Sequence, residues 1–99
     1  MDLIASPHVD TCSPPEAQAI LKALAEPSRL EILKLVWHRE LPAGHVAAEF
    51  HLTRTSISEH LRIMEAAGLL ERRKVGSLRL YRARPERLAQ LWAFFETLD

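Results

Sequence analysis

The side chains in this chain best suited to chemistry lie between Thr53 and Arg87. Arg54, Thr55, Ser56, Ser58, Glu59, His60 and Arg62 surround Ile57, Leu61 and Met64, and those three apolar residues recur at helical spacing. The apolar three predict an inward stripe, which leaves arginines, hydroxyls and a carboxylate outside. Such groups read base edges in a DNA major groove, where arginine grips guanine through two hydrogen bonds and serine or threonine serves a base or a phosphate. Farther along come Arg72, Arg73, Lys74, Arg79, Arg82, Arg84 and Arg87, with Ser77 between them. That run supplies positive charge for backbone phosphates or an adjacent minor groove. Ser56, Ser58 and His60 also invite a nucleophilic reading. No acid in the same segment orients the histidine, however, and no glycine-rich loop offers an oxyanion or phosphate cradle, so catalysis is not expected.

These side chains need elements to hold them. Residues 1–12 mix Pro, Ser and Asp without period and read as a flexible arm, so that the folded domain is expected over 13–99. Ser13 and Glu16 predict a capping box for a first helix that carries Ala17, Ile20, Leu21 and Leu24 and ends by Glu26, before Pro27. A second helix starts at Pro27 or Ser28 with the stripe Leu30, Leu33, Val36 and Trp37. Pro42 suits the first position of a short third helix, and Thr53 is a good N-cap for the fourth, which Gly68 ends. Residues 70–83 read as two strands around Val75-Gly76-Ser77, and Pro85 opens a last helix with Leu88, Leu91, Trp92, Phe95 and Leu98. The expectation is a mainly α fold with a small β-hairpin, a winged helix-turn-helix in the order α-α-α-α-β-β-α. The helix-turn-helix pair is 42–50 and 53–67.

The whole chain has 99 residues with 13 basic and 13 acidic side chains, so its formal charge is zero. Split by region, residues 53–87 hold nine basic and four acidic groups, net +5, and the remainder is net −5. Positive charge is therefore concentrated on the segment assigned to DNA. An apolar content of 47% suffices for one packed domain, and a single cysteine, Cys12, rules out an intramolecular disulfide or a cysteine-rich zinc module. With no apolar run long enough for a membrane span and no signal-peptide pattern, the expected setting is cytoplasmic. Cys12, in the expected arm, reads either as an inert thiol or as a redox sensor.

Residues 21–33, Leu-Lys-Ala-Leu-Ala-Glu-Pro-Ser-Arg-Leu-Glu-Ile-Leu, resemble the opening signature of ArsR/SmtB-family repressors. Leu52-Thr53 to Leu61, followed by Glu65-Ala66-Ala67-Gly68-Leu69-Leu70, resembles their recognition helix and its exit. The resemblance covers about 14–98 and implies a homodimeric winged-helix repressor that occupies a double-stranded DNA operator until an inducing signal arrives. Family arsenic and cadmium sensors carry a Cys-x-Cys pair where this chain has Leu41-Pro42-Ala43-Gly44-His45-Val46, and the zinc and nickel sensors use histidines in a last helix that here contains none. The resemblance is thus to a branch without a metal site, and no metal or other cofactor is expected. His45 and His51 flank the third helix but do not share a helical face, and they read as solvated surface.

Several positions keep two readings. His60 either contacts DNA or packs half-buried against the hairpin. Glu59 stands where the family commonly has Gln, Lys or Arg, and it either accepts from cytosine or pairs with Arg62. A small domain can hardly cover Ile20, Leu24, Leu91, Trp92 and Phe95 together, so these five are the expected dimer interface. The alternative function is a winged-helix protein-interaction module that has lost DNA contact.

Overall fold

The computed structural model describes residues 10–98, in which the helices α1 (Pro14–Leu24), α2 (Pro27–Leu35), α3 (Ala43–Glu49), α4 (Arg54–Ala66) and α5 (Pro85–Glu96) enclose one core. Strands β1 (Leu41–Pro42), β2 (Leu70–Val75) and β3 (Leu78–Ala83) form an antiparallel sheet in the order β1-β3-β2. Each helix contributes one apolar stripe. Ile20, Ile32, Val36, Val46, Ile57, Leu61, Met64, Leu69 and Leu70 are its fully buried large side chains.

The helix ends are set by local chemistry. Ser13 caps α1: its hydroxyl accepts from the Glu16 N–H at 3.3 Å, and the Glu16 carboxylate accepts from the Ser13 N–H at 2.7 Å, completing the expected capping box. At the other end of the helix-turn-helix, Gly68 adopts φ 80°. Its N–H donates to the Glu65 carbonyl, while the Leu69 N–H reaches back to Met64 at 2.9 Å. This pairing consumes the carbonyls that α4 leaves open, and it requires the left-handed conformation that glycine tolerates best.

Four expectations change. Pro42 does not open α3; it sits just outside with extended φ and ψ, and with Leu41 it forms a two-residue strand paired to Leu80 and Tyr81. Two residues are too short to show a period of two, and proline is tolerated there because β1 lies at the sheet edge. On α2 the buried residues are Leu33, as expected, and Ile32 in place of Leu30, which is 45% exposed. Cys12, assigned to the arm, is buried, and its N–H meets the Gln90 carbonyl of α5 at 3.5 Å. Residues 1–9 of that arm lie outside the described residues. Among the described residues no helix is long and apolar enough to cross a membrane.

Candidate nucleic-acid interface

Between α3 and α4 the chain turns in four residues. His51 takes φ 56°, and the Leu52 N–H donates to the Ala47 carbonyl. His51 is therefore a turn residue, and His45 lies 3.8 Å from Glu49 on the exposed side of α3. Thr53 Oγ1 accepts from the Ser56 N–H at 3.0 Å and starts α4, which points Ile57, Leu61 and Met64 into the core. Arg54, Thr55, Ser56, Ser58, Glu59 and Arg62 are exposed along its outer side. His60 is turned inward. Its side chain is 18% exposed, with Nδ1 3.3 Å from Arg29 Nη1 and 3.7 Å from Glu26, so it packs on the start of α2.

Strand register divides the basic wing between two faces. Arg72 pairs with Tyr81 and Lys74 with Arg79 on the face that continues into buried Leu70 and Ala83; Glu71 with Arg82, Arg73 with Leu80 and Val75 with Leu78 occupy the other. On the first face Lys74, Ser77 and Arg79 look across a groove of about 510 Å³ at Arg54 and Ser58, with Pro42, Ala43 and Gly44 as its floor. A β-carbon on Gly44 would stand 3.2 Å from Arg54 Nη1, so the small residues at the start of α3 leave room for that guanidinium. Arg54, Lys74 and Arg79 form no salt bridge among the described residues. Positive charge confronting a groove without an internal counter-ion is available to an anion outside the protein.

Four of the remaining expected DNA cations are committed elsewhere. Arg73 lies on the far face of the sheet and donates twice to Glu40, at 2.7 and 3.0 Å. Arg72 approaches Glu65 at 3.5 Å, and Arg62 donates to Glu59 at 2.9 Å. Arg87, counted with the basic segment, ties α5 inward through Ala67, Gln90 and Glu16. The regional charge therefore includes arginines whose partners are structural. Freeing one should be measurable: Glu59→Gln removes the carboxylate that occupies Arg62, and affinity for nonspecific duplex is expected to rise about threefold, in line with an exposed pair worth under ~1 kcal/mol. Fluorescence anisotropy would read the change.

Two carboxylates couple this scaffold to pH. The Ser13 backbone N–H, chiefly, holds the Glu16 carboxyl below its usual range, and the hydrogen bonds from Arg73 do the same for Glu40. A carboxyl lowered in the folded state stabilises fully above its unfolded value of about 4.3, and that contribution is lost as pH falls through the lowered value. A Glu16→Gln, Glu40→Gln double variant should thus be less stable at neutral pH and should lose stability less steeply below about pH 4.3. Urea unfolding midpoints across that range would show it.

Of the five expected dimer residues, Ile20 is fully buried within the protomer and Leu91 is 8% exposed, so neither side chain has surface to offer a partner. Leu24 is half-buried. Trp92 and Phe95 are exposed, and they are joined by Leu21 and Leu98, which the sequence reading placed on the apolar stripes without assigning them to an interface. Helical spacing identifies a stripe but does not tell which edge of it the protomer leaves open.

The family profile described as bacterial regulatory protein, arsR family, matches residues 26–72, from the α2 N-cap into β2. The transcriptional repressor SdpR of Bacillus subtilis is 32% identical over 62 residues, spanning 63% of this chain and 69% of that protein. The chain belongs to the ArsR family. Among solved structures, the ArsR-like transcriptional regulator from Rhodococcus sp. RHA1 superposes with a TM-score of 0.78 at 30% identity, covering 85% of this chain and 79% of that one. The homodimeric winged helix-turn-helix DNA-binding domain Mb0332 from Mycobacterium bovis gives 0.71 at 30% identity over 85% and 78%. This ArsR-family chain is a DNA-binding transcriptional regulator and not an enzyme, with α3 and α4 as its helix-turn-helix pair and β2–β3 as the wing.

Proposed function

We propose that this regulator is a cytoplasmic homodimeric repressor that occupies a pseudo-palindromic operator and is released by a signal. The observation that carries the reading is the groove between α4 and the wing, where Arg54, Lys74 and Arg79 have no salt-bridge partner among the described residues and stand beside the exposed Thr55 and Ser58. Phosphates would take the three cations, and base edges would take the hydroxyls of α4. Repression is supported by the likeness to SdpR, and dimerisation by the likeness to the homodimeric Mb0332 domain. The stretch Leu41 to Val46 carries no thiolate, which supports placing the chain in a branch of the family without that metal site.

Leu21, Trp92, Phe95 and Leu98 provide the apolar surface for a second copy, beside a cavity of about 590 Å³ between Trp37 and α5. Two copies related by a dyad would set their α4 helices in successive major grooves, ~34 Å apart. Trp92→Glu places a charge on that face and should yield a monomer by analytical ultracentrifugation. Since one half-site cannot hold both heads, operator affinity should fall about 100-fold with it, as loss of the second head's effective concentration implies.

Fluorescence anisotropy with duplex DNA across a range of salt tests the function. Repressor binding predicts a steep linear fall of log affinity with log salt. A flat response would favour the protein-interaction module.

A further inference from the structure

Among the described side chains, one buried polar oxygen has no hydrogen-bond partner: Oε2 of Glu26. Glu26 stands at the α1–α2 corner as N-cap of α2, yet its carboxylate makes no capping bond. Facing it at 3.7 Å is Nδ1 of His60, from the middle of α4. The same nitrogen lies 3.3 Å from Arg29 Nη1, and Arg29 Nε donates at 2.6 Å to the Ala23 carbonyl in the last turn of α1. One ring nitrogen on the reading helix therefore faces a cation and an anion, both from the start of α2.

Nδ1 cannot serve both together. A guanidinium only donates, so its bond to Nδ1 needs the neutral ring with the proton on Nε2. A carboxylate only accepts, so a bond to Glu26 needs a proton on Nδ1. We propose that His60 is a positioning residue whose protonation re-seats α4 on the α1–α2 corner. Neutral His60 ties α4 through Arg29 to the end of α1. When Nδ1 takes a proton from solvent, the ring becomes a cation, displaces Arg29 and turns to the waiting oxygen of Glu26. The other charges nearby sharpen the choice. Lys22 of α1 and Arg62 of α4 border the groove beside Arg29 and oppose a further positive charge, while Glu59 on the outer side of α4 is taken by Arg62. Glu26 is left to receive the imidazolium. The exchange rests on the reading of α4 as the DNA-contacting helix, because it is there that a shifted seat changes affinity.

The test compares wild type with His60→Asn, whose Oδ1 can accept from Arg29 at every pH, and with Glu26→Gln. Each is titrated by anisotropy against a duplex that the wild type enriches from a randomised pool, at fixed salt from about pH 5.5 to 8, the span in which imidazoles change charge. Toward acid, wild-type affinity should fall about fivefold more than that of His60→Asn, the low end of coupling between sites. Glu26→Gln should shrink the fall, since its amide offers the imidazolium no anion to turn to. Nitrogen NMR of the His60 ring should show Nδ1 unprotonated at the basic end. Matching pH profiles for wild type and both variants, or a protonated Nδ1 at the basic end, would overturn the proposal. Absence of duplex binding at every pH would instead sink the DNA reading. In that event hydrogen exchange still decides the matter: α4 amides losing protection on acidification in wild type but not in His60→Asn supports the exchange, and equal protection refutes it.

Discussion

Replacing Arg54, Lys74 and Arg79 together with alanine should lower affinity for duplex DNA about 100-fold and flatten the salt slope by roughly 2.7, which is ~0.9 for each phosphate contact removed. All three side chains border the groove between α4 and the wing, and none has a salt-bridge partner among the described residues. Their loss therefore removes interaction with DNA without leaving a carboxylate unpaired. Arg73→Ala is the informative contrast. Its guanidinium is held by Glu40 on the opposite sheet face, so its removal should affect stability and leave the salt slope almost unchanged. Lys74→Ala or Arg79→Ala by itself should weaken all sequences alike, because a phosphate contact carries no base information. Arg54→Ala should in addition alter sequence preference, because at the start of α4 its guanidinium would meet a base edge beside the phosphate. Anisotropy on matched specific and random duplexes separates these outcomes.

Gly68→Ala should be the most destabilising single methyl group that can be added to the chain's glycines. At φ 80° a β-carbon is strained, and here it would also stand 2.6 Å from Arg87 Nε. Arg87 cannot simply withdraw, for that same Nε donates to the Ala67 carbonyl, and the other guanidinium nitrogens hold Gln90 and Glu16. Backbone strain of about 1–2 kcal/mol, with about 1 kcal/mol for a disturbed hydrogen bond, predicts a Tm lower by roughly 10 °C or more. Gly76→Ala supplies the control. It shares a positive φ, 61°, but its β-carbon would meet nothing within 4 Å, so only the strain remains and the fall should be about half as large. Equal losses at the two positions would show that Arg87 does not lock the exit of α4.

The helix starts and ends were legible because they depend on neighbours in sequence. Ser13 with Glu16, Thr53 before α4 and Gly68 after it each act within a few residues, and the structure uses all of them. The outward side of α4 was legible for the same reason, since Ile57, Leu61 and Met64 fix which way the helix faces. What local pattern does not carry is partnership over distance. Arg73 meets Glu40 and Arg87 meets Glu16 across 33 and 71 positions, and these two arginines, both counted toward DNA in the sequence, are thereby taken by the scaffold. His60 shows the same limit: its partners Glu26 and Arg29 lie at the start of another helix, out of reach of a reading confined to α4. The regional charge overstated how many of its cations are free. Strand β1 escaped because two residues show no alternation, and Ile20 was assigned outward because a stripe at helical spacing does not distinguish its buried centre from its open edge.

Duplex DNA is expected to seat on α4 and on the near face of the wing. Amide NMR shifts on addition of a duplex measure this directly. The prediction is that shifts concentrate at Arg54 to Arg62 and at Lys74 to Arg79, with Glu31 and Glu49 on the acidic remainder unmoved. Shifts confined to α5 and Trp37, with the α4 amides unchanged, would contradict it.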